Sequence, residues 1–254
     1  MGRYRGLKTK LYLNKAVGRS HLKNNEPCQD AVGACSDIRG LLSVYFISDG
    51  AGSAKKSHKG SSILCDNILN SVTASANKEE IKNKKFWVEA INKARDEIES
   101  QISATEYSLR DFASTLVAVV VFHQDKTFLC VHIGDGYIFG LLDNNTEILS
   151  QQNNVEYANQ TFLFTDANFE ENLNINQFRA SNYKYLVISS DGLEPILIKH
   201  SQPFMPFFQP LTNFLVNQGN SREKKIEAID QIFFKASKDE NLGCYDDLSL
   251  LVIE

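Results

Sequence analysis

Nowhere does this sequence approach the ~18 continuous apolar residues that a membrane-crossing helix needs, and no apolar leader segment follows its basic N-terminus. Both absences argue against a membrane protein. Prolines number five, and no Pro-, Gly- or Ser-rich linker, low-complexity tract or short repeat interrupts the chain. Its 254 residues therefore predict one domain spanning residues 1–254. The five cysteines (Cys28, Cys35, Cys65, Cys130 and Cys244) are scattered, odd in number and form no Cys-x-x-Cys. That excludes a disulfide framework and a zinc site, and it suits a reducing cytoplasm. Positive charge is short as well. The formal net charge is −4, and the basic clusters at Arg3, Arg5, Lys8 and Lys10 and at Lys82, Lys84 and Lys85 read as solvated surface. A nucleic-acid protein would carry a strongly basic face. The expectation is a soluble, cytoplasmic monomer with no nucleic-acid partner.

What the chain does have is an apolar run, residues 41–47, that stops at Ser48-Asp49-Gly50-Ala51-Gly52-Ser53. Such a run reads as a buried strand whose end presents a carboxylate where glycines let the backbone turn. The pattern returns at Leu186-Val187-Ile188-Ser189-Ser190-Asp191-Gly192. Asp-Gly is among the strongest turn dipeptides, so each copy alone reads more readily as a β-turn than as a site.

Residues 11–17 read as a short edge strand and residues 18–30 as a polar loop. Residues 31–35 form a strand that pairs with the run ending at Asp49, a hairpin that brings Asp30 and Asp49 to one edge. Leu64, Ile68 and Val72, then Trp87, Ile91, Ala94, Ile98 and Ile102, recur at helical spacing and read as core-facing stripes. Three strands follow at 113–122, 127–133 and 137–142, and Gly134-Asp135-Gly136 reads first as a hairpin turn between the last two. Residues 143–182 are polar, Asn-rich and short of regular period, a length that predicts a functional flap. A strand at 185–189 delivers Asp191. Helices at 206–216 and 222–234 come next, the second capped by Ser221, and a last strand follows Asp246-Asp247.

Asp30, Asp49, Asp191 and Asp246 (or Asp247) thus each stand at the edge of an apolar strand, with Asp135 a fifth candidate. Clustered carboxylates repel and are costly to desolvate unless cations neutralise them. Hard divalent cations take such an all-oxygen shell, completed by backbone carbonyls and water. The absence of a His/Cys ligand pattern points to magnesium or manganese over zinc. Two such ions ~3.5–4 Å apart can activate a water and hold a phosphoryl oxygen for in-line attack.

Six motifs occur in order: Gly18-x-x-His21 with Gln29-Asp30-Ala31, Ser48-Asp49-Gly50-Ala51-Gly52-Ser53, Phe112-Ala113-Ser114-Thr115-Leu116, Gly134-Asp135-Gly136, Ser190-Asp191-Gly192-Leu193, and Asp246-Asp247-Leu248-Ser249. Together they resemble the metal-dependent serine/threonine phosphatases of type 2C over about residues 18–253. The patch at 156–165 is similar to the flap region of a bacterial branch of that family. The resemblance implies an α+β fold, a four-layer α-β-β-α sandwich of two antiparallel sheets flanked by helices, with a flap at about 143–182. It implies hydrolysis of phosphoserine and phosphothreonine in proteins by a metal-activated water at a dinuclear site holding two divalent cations, Mg2+ or Mn2+. The partners implied are a phosphorylated protein substrate and, by analogy, an opposing serine/threonine kinase. Asp49 would bridge the metals, with the Gly50 carbonyl completing one shell. Asp191 and Asp246 would hold the first metal and Asp30 would support the second. Asp135 with Asp191 would match a third, looser metal site of bacterial members. Phosphomonoester hydrolysis needs up to ~10²¹-fold acceleration, which cations at the phosphoryl group help to supply and side-chain acids alone could not.

The chain also departs from the family pattern. Gln29 replaces the glutamate many relatives carry beside Asp30. His21 stands where most have a phosphate-gripping arginine, so it is the candidate substrate contact, weaker and pH-dependent beside a bidentate guanidinium. The histidine that eukaryotic members place after Asp-Gly is Ala51 here, so no general acid is evident. These departures motivate a second reading, a catalytically silent module that binds phosphoproteins or a kinase. The retained aspartates argue against it, since a dead site has no reason to keep that repulsion. An aspartyl-phosphate phosphatase is set aside because its Asp-x-Asp motif is missing.

Overall fold

The computed structural model describes residues 4–5, 10–37, 39–75, 77–152 and 161–254. Long apolar strands without polar alternation must be covered on both faces, and the fold provides that with two stacked sheets. The first runs in the order β1 (Tyr4–Arg5), β3 (Ala31–Ser36), β4 (Leu42–Ser48), β5 (Leu116–Phe122), β6 (Thr127–Ile133), β9 (Asn174–Arg179). The second runs β2 (Leu11–Ala16), β13 (Leu248–Ile253), β10 (Tyr185–Ser189), β7 (Tyr137–Leu141), β8 (Thr146–Ser150). A small ribbon of β11 (Ile198–Lys199) and β12 (Gln202–Pro203) stands apart. Every pairing in the two sheets is antiparallel except that of β1 with β3.

Strand parity sorts the core into layers. Tyr45 and Ile47 of β4, Val117 and Val119 of β5, Ile138 of β7, Ile188 of β10 and Leu251 of β13 form one buried cluster between the sheets. The alternate residues Val44 and Phe46 face outward, onto α2 (Ser57–Ala74) and α4 (Lys84–Ile102), where Leu64, Ile68, Trp87 and Ile91 cover them. On the other outer face Tyr12, Phe139, Val187 and Val252 meet Phe208 and Leu215 of α7 (Met205–Val216) and Ile229 and Phe233 of α8 (Arg222–Lys238). The result is the α-β-β-α sandwich expected. Each large side chain so buried contributes ~1.5–3 kcal/mol. The lone tryptophan, Trp87, is fully buried and its indole N–H donates to the Ile81 carbonyl at 2.8 Å.

Four local expectations change. The polar loop at 18–30 contains a helix, α1 (Arg19–Asn24), which Asn25 ends in the left-handed conformation at φ 56°. Gly134-Asp135-Gly136 is not a hairpin turn. The strands it joins, β6 and β7, lie in different sheets, so these residues cross from one sheet to the other. The strand predicted from 113 begins at Leu116, because residues 113–115 bond instead to the turn after β4. The stretch 143–182 holds regular structure in β8, β9 and the short helix α5 (Phe169–Asn172). Its Asn-rich exposed faces masked that period. Residues 156–160 of the patch lie outside the described residues. Ser221 caps α8 as expected, its Oγ accepting the Lys224 N–H. No helix among the described residues is long and apolar enough to cross a membrane.

Candidate active site

Ala31 pairs with Ser48 across the β3–β4 hairpin, so Asp30 and Asp49 emerge side by side where these strands end. Asp49 is held by its backbone. Its N–H donates to Thr115 Oγ1 at 3.0 Å and its carbonyl accepts the Thr115 N–H at 2.8 Å. Ser48 Oγ donates to the Thr115 carbonyl at 2.6 Å and contacts Ser114 Oγ at 2.9 Å. Gly50 bridges Ser114, and a Cβ there would lie 2.9 Å from the Gln29 carbonyl oxygen and 2.8 Å from Ser57 Cβ. Only a residue without a side chain lets these loops close.

A cleft of about 310 Å³ opens at this edge, and Asp49, Gly50, Asp135, Asp191 and Asp246 line it together with Thr115, Thr161 and Leu163. The sheet crossing delivers Asp135, a turn of 3-10 helix after β10 carries Asp191, and the turn before β13 carries Asp246. Asp30 sits behind Asp49, 3% exposed, with one oxygen accepting from Ser249 Oγ and from Ser190 Oγ at 3.2 Å. Lys15 Nζ holds the Asp30 carbonyl at 2.6 Å. Asp135 accepts from Thr161 Oγ1, a residue within the 143–182 stretch.

The electrostatics are those of a site short of positive charge. Burial pushes Asp30 up to about 6, partly offset by the serine hydroxyls and Asp49. Burial and the charges of Asp30 and Asp191 drive Asp49 well above the ordinary carboxylate range. Burial lifts Asp191 to about 7, with Asp135, Asp246 and Asp30 adding repulsion. Asp135 is raised by burial too. Asp30 Oδ1 and Asp191 Oδ1 are buried with no hydrogen-bond partner. An all-oxygen donor set with two orphaned carboxylate oxygens and an adjacent glycine backbone fits hard divalent cations. No Lys, Arg or His lines the cleft among the described residues.

His21 stands apart from that lining. It is 7% exposed, and its Nδ1 lies 3.0 Å from Asp247 Oδ1, 3.9 Å from Asp246 Oδ1. Where the sequence reading put a substrate contact, the ring meets a buried acid. Burial works against its charge, but the neighbouring carboxylates of Asp247, Asp246 and Glu26 outweigh it and raise its pKa, although Nδ1 makes no well-aligned hydrogen bond. His21, Asp246 and Asp247 bring ligand atoms within 4.8 Å of one another. Both Asp247 oxygens, however, already accept backbone N–H groups, from Gly18 and Gln29. The motifs contain Thr115, Ser190 and Ser249 but assign them no part, and Lys15 lies outside every motif; their parts depend on register between distant strands.

A family model described as protein phosphatase 2C matches residues 17–229. Serine/threonine-protein phosphatase 3 of Escherichia coli (strain K12) is 28% identical over 214 residues, covering 81% of this chain and 83% of that protein. The fold is similar to that of serine/threonine phosphatase Stp1 from Staphylococcus aureus, with a TM-score of 0.70 at 15% identity, covering 100% of this chain and 98% of that one. It is likewise similar to the S. agalactiae serine/threonine phosphatase, with a TM-score of 0.69 at 14% identity over 96% and 98% of the two chains. These matches, with a two-sheet sandwich whose carboxylates gather at one edge, place the chain among the phosphatase hydrolases. Within that class, the chain belongs to the protein phosphatase 2C family, an assignment that implies dependence on divalent metal.

Proposed function

We propose that this protein hydrolyses phosphoserine and phosphothreonine in phosphoproteins at the Asp49 cleft, and that an opposing kinase makes its substrates. The observation that carries the reading is the convergence of Asp49, Asp135, Asp191 and Asp246 on one cleft, with Asp30 buried behind Asp49 and two carboxylate oxygens orphaned. Asp49, fixed by Thr115, would help to hold both cations, with the Gly50 carbonyl a further oxygen donor. Asp191 and Asp246 would hold one cation, Asp30 the other, and Asp135 a third together with Asp191. Bound divalent cations supply Lewis acidity, which neutralises phosphoryl oxygens and lowers the pKa of an attacking water.

The chain's own residues do the rest. Ser190 and Ser249 keep one Asp30 oxygen engaged and so aim the other toward Asp49. The small side chains of residues 51–53 leave room at the cleft for a phosphorylated hydroxyl side chain. The described lining residues include no cationic side chain, so the chain itself offers a substrate phosphate no positive charge there. The Asp135–Thr161 hydrogen bond couples that edge to the flap, which we assign to substrate selection.

The test is phosphate release from p-nitrophenyl phosphate and from phosphothreonine peptides with Mn2+ or Mg2+. We expect turnover that EDTA abolishes and that collapses in Asp49→Ala and Asp191→Ala. Undiminished activity in EDTA or in those variants would sink the reading.

A further inference from the structure

Asp247 is the one carboxylate of the Asp-Asp pair before β13 that the cleft does not use, and it is fully buried. Its Oδ1 accepts the Gly18 N–H at 2.6 Å and its Oδ2 accepts the Gln29 N–H. These donors stand at the two ends of the connection between β2 in one sheet and β3 in the other. A single side chain therefore closes that connection on itself, and Gln29 is the residue before Asp30. The staple is reinforced around its rim. Ser20 donates its N–H and its Oγ to the Tyr245 carbonyl at 3.0 and 2.8 Å, and Arg19 donates to the Cys244 carbonyl at 2.9 Å. Gln29 is clamped from the far side, its Oε1 by Ser57 Oγ at 2.9 Å and its carbonyl by Ser61 Oγ at 2.6 Å. At Gly18 a Cβ would come within 2.3 Å of the Asp246 carbonyl carbon, so the connection lies directly against the backbone of both aspartates. The His21 ring faces Asp247, its Nδ1 3.0 Å from Asp247 Oδ1.

We infer that Asp247, paired with His21, is a positioning residue that sets Asp30 and Asp246 relative to each other across the cleft; the inference rests on the reading of those two as metal-holding carboxylates. Asp247 acts on Asp30 through Gln29 and on Asp246 as its chain neighbour, whose Oδ1 accepts the Asp247 N–H at 2.8 Å. His21 serves this pair and not the substrate phosphate. The two oxygens of one carboxylate do what an amide cannot, since an amide accepts through a single atom and turns a donor toward the other N–H.

The test is Asp247→Asn, read by hydrogen exchange of residues 18–30 and by calorimetric titration with Mn2+, beside activity on p-nitrophenyl phosphate. The expected result is faster exchange confined to that connection and Mn2+ affinity weakened about 10- to 100-fold, the usual cost of losing an outer partner of a metal ligand. Excess Mn2+ restores kcat, and KM stays at its wild-type value. His21→Asn, which keeps a donor near Nδ1, should retain wild-type affinity, while His21→Leu should fall with Asp247→Asn. Wild-type exchange and Mn2+ affinity in Asp247→Asn would overturn the inference, and so would a loss of stability with Mn2+ affinity unchanged in the folded protein. If Asp247→Asn fails to fold, His21→Leu decides on the same readouts. If wild type itself binds no Mn2+, the reading of the cleft fails, and the exchange comparison still judges the staple alone.

Discussion

Asp247 and Asp30 are both buried carboxylates, and their oxygens are treated in opposite ways. Asp247 has each oxygen matched by a backbone N–H and a histidine facing it. Asp30 has one oxygen held by two serines and the other left bare, beside Asp49 and close to Asp191, whose Oδ1 is bare too. A buried polar atom without a partner costs about 1–3 kcal/mol, and more when charged. A satisfied buried carboxylate organises the chain around it, whereas a cluster of unsatisfied ones is suited to a cation. The same residue type thus has its oxygens satisfied at Asp247 and left in part unsatisfied at the cleft where we propose the site.

The widest separation between the two regions should come from truncating one acid in each. Asp49→Ala should lower phosphate release by about 10³-fold or more, at or beyond the upper end of what one electrostatic stabiliser is worth. It should leave the metal-free melting temperature unchanged or higher, because it removes repulsion. Asp247→Ala should do the reverse to stability, costing about 3–5 kcal/mol in denaturant titrations by leaving His21 and two N–H groups uncompensated. A destabilised Asp49→Ala, or an unperturbed Asp247→Ala, would erase the distinction.

A smaller effect is expected at Thr115, which belongs to neither acid but fixes one. Thr115→Val removes the acceptor for the Asp49 N–H and should destabilise by about 1–3 kcal/mol. Its kcat should fall more than its KM rises.

The pH response is gentler still. Asp30 at about 6 and Asp191 at about 7 bind protons in the folded, metal-free protein at pH values where the unfolded chain has released them. Their contribution to stability is full below the ordinary carboxylate value and is lost as pH rises through 6 to 7. Cation binding must displace those protons and so strengthens over the same window. The gap between melting temperatures with Mn2+ and with EDTA should therefore widen from pH 5 to pH 8. A gap independent of pH would mean the raised carboxylates are not where the ion binds.

Much of the sandwich was legible because buried strands and helical stripes leave periods in the sequence, as at 42–48 and at Leu64, Ile68 and Val72. The edge shared by Asp30 and Asp49 followed from one hairpin. The crossing at Gly134-Asp135-Gly136 was not legible, since two strands joined by a few turn residues look alike whether they share a sheet or change sheets. The surroundings of His21 were not legible for a related reason. Motif order located it near the site but carried no information on which way its ring turns, and that is decided by Asp247, far away in the chain. Thr115, Ser190 and Ser249 matter through cross-strand register, which a linear pattern does not encode.

Anomalous scattering from crystals grown with Mn2+ tests the cleft most directly. The prediction is at least two peaks among Asp30, Asp49, Asp191 and Asp246, with none between His21 and Asp247. Density at the His21–Asp247 pair with an empty Asp49 cleft would contradict it.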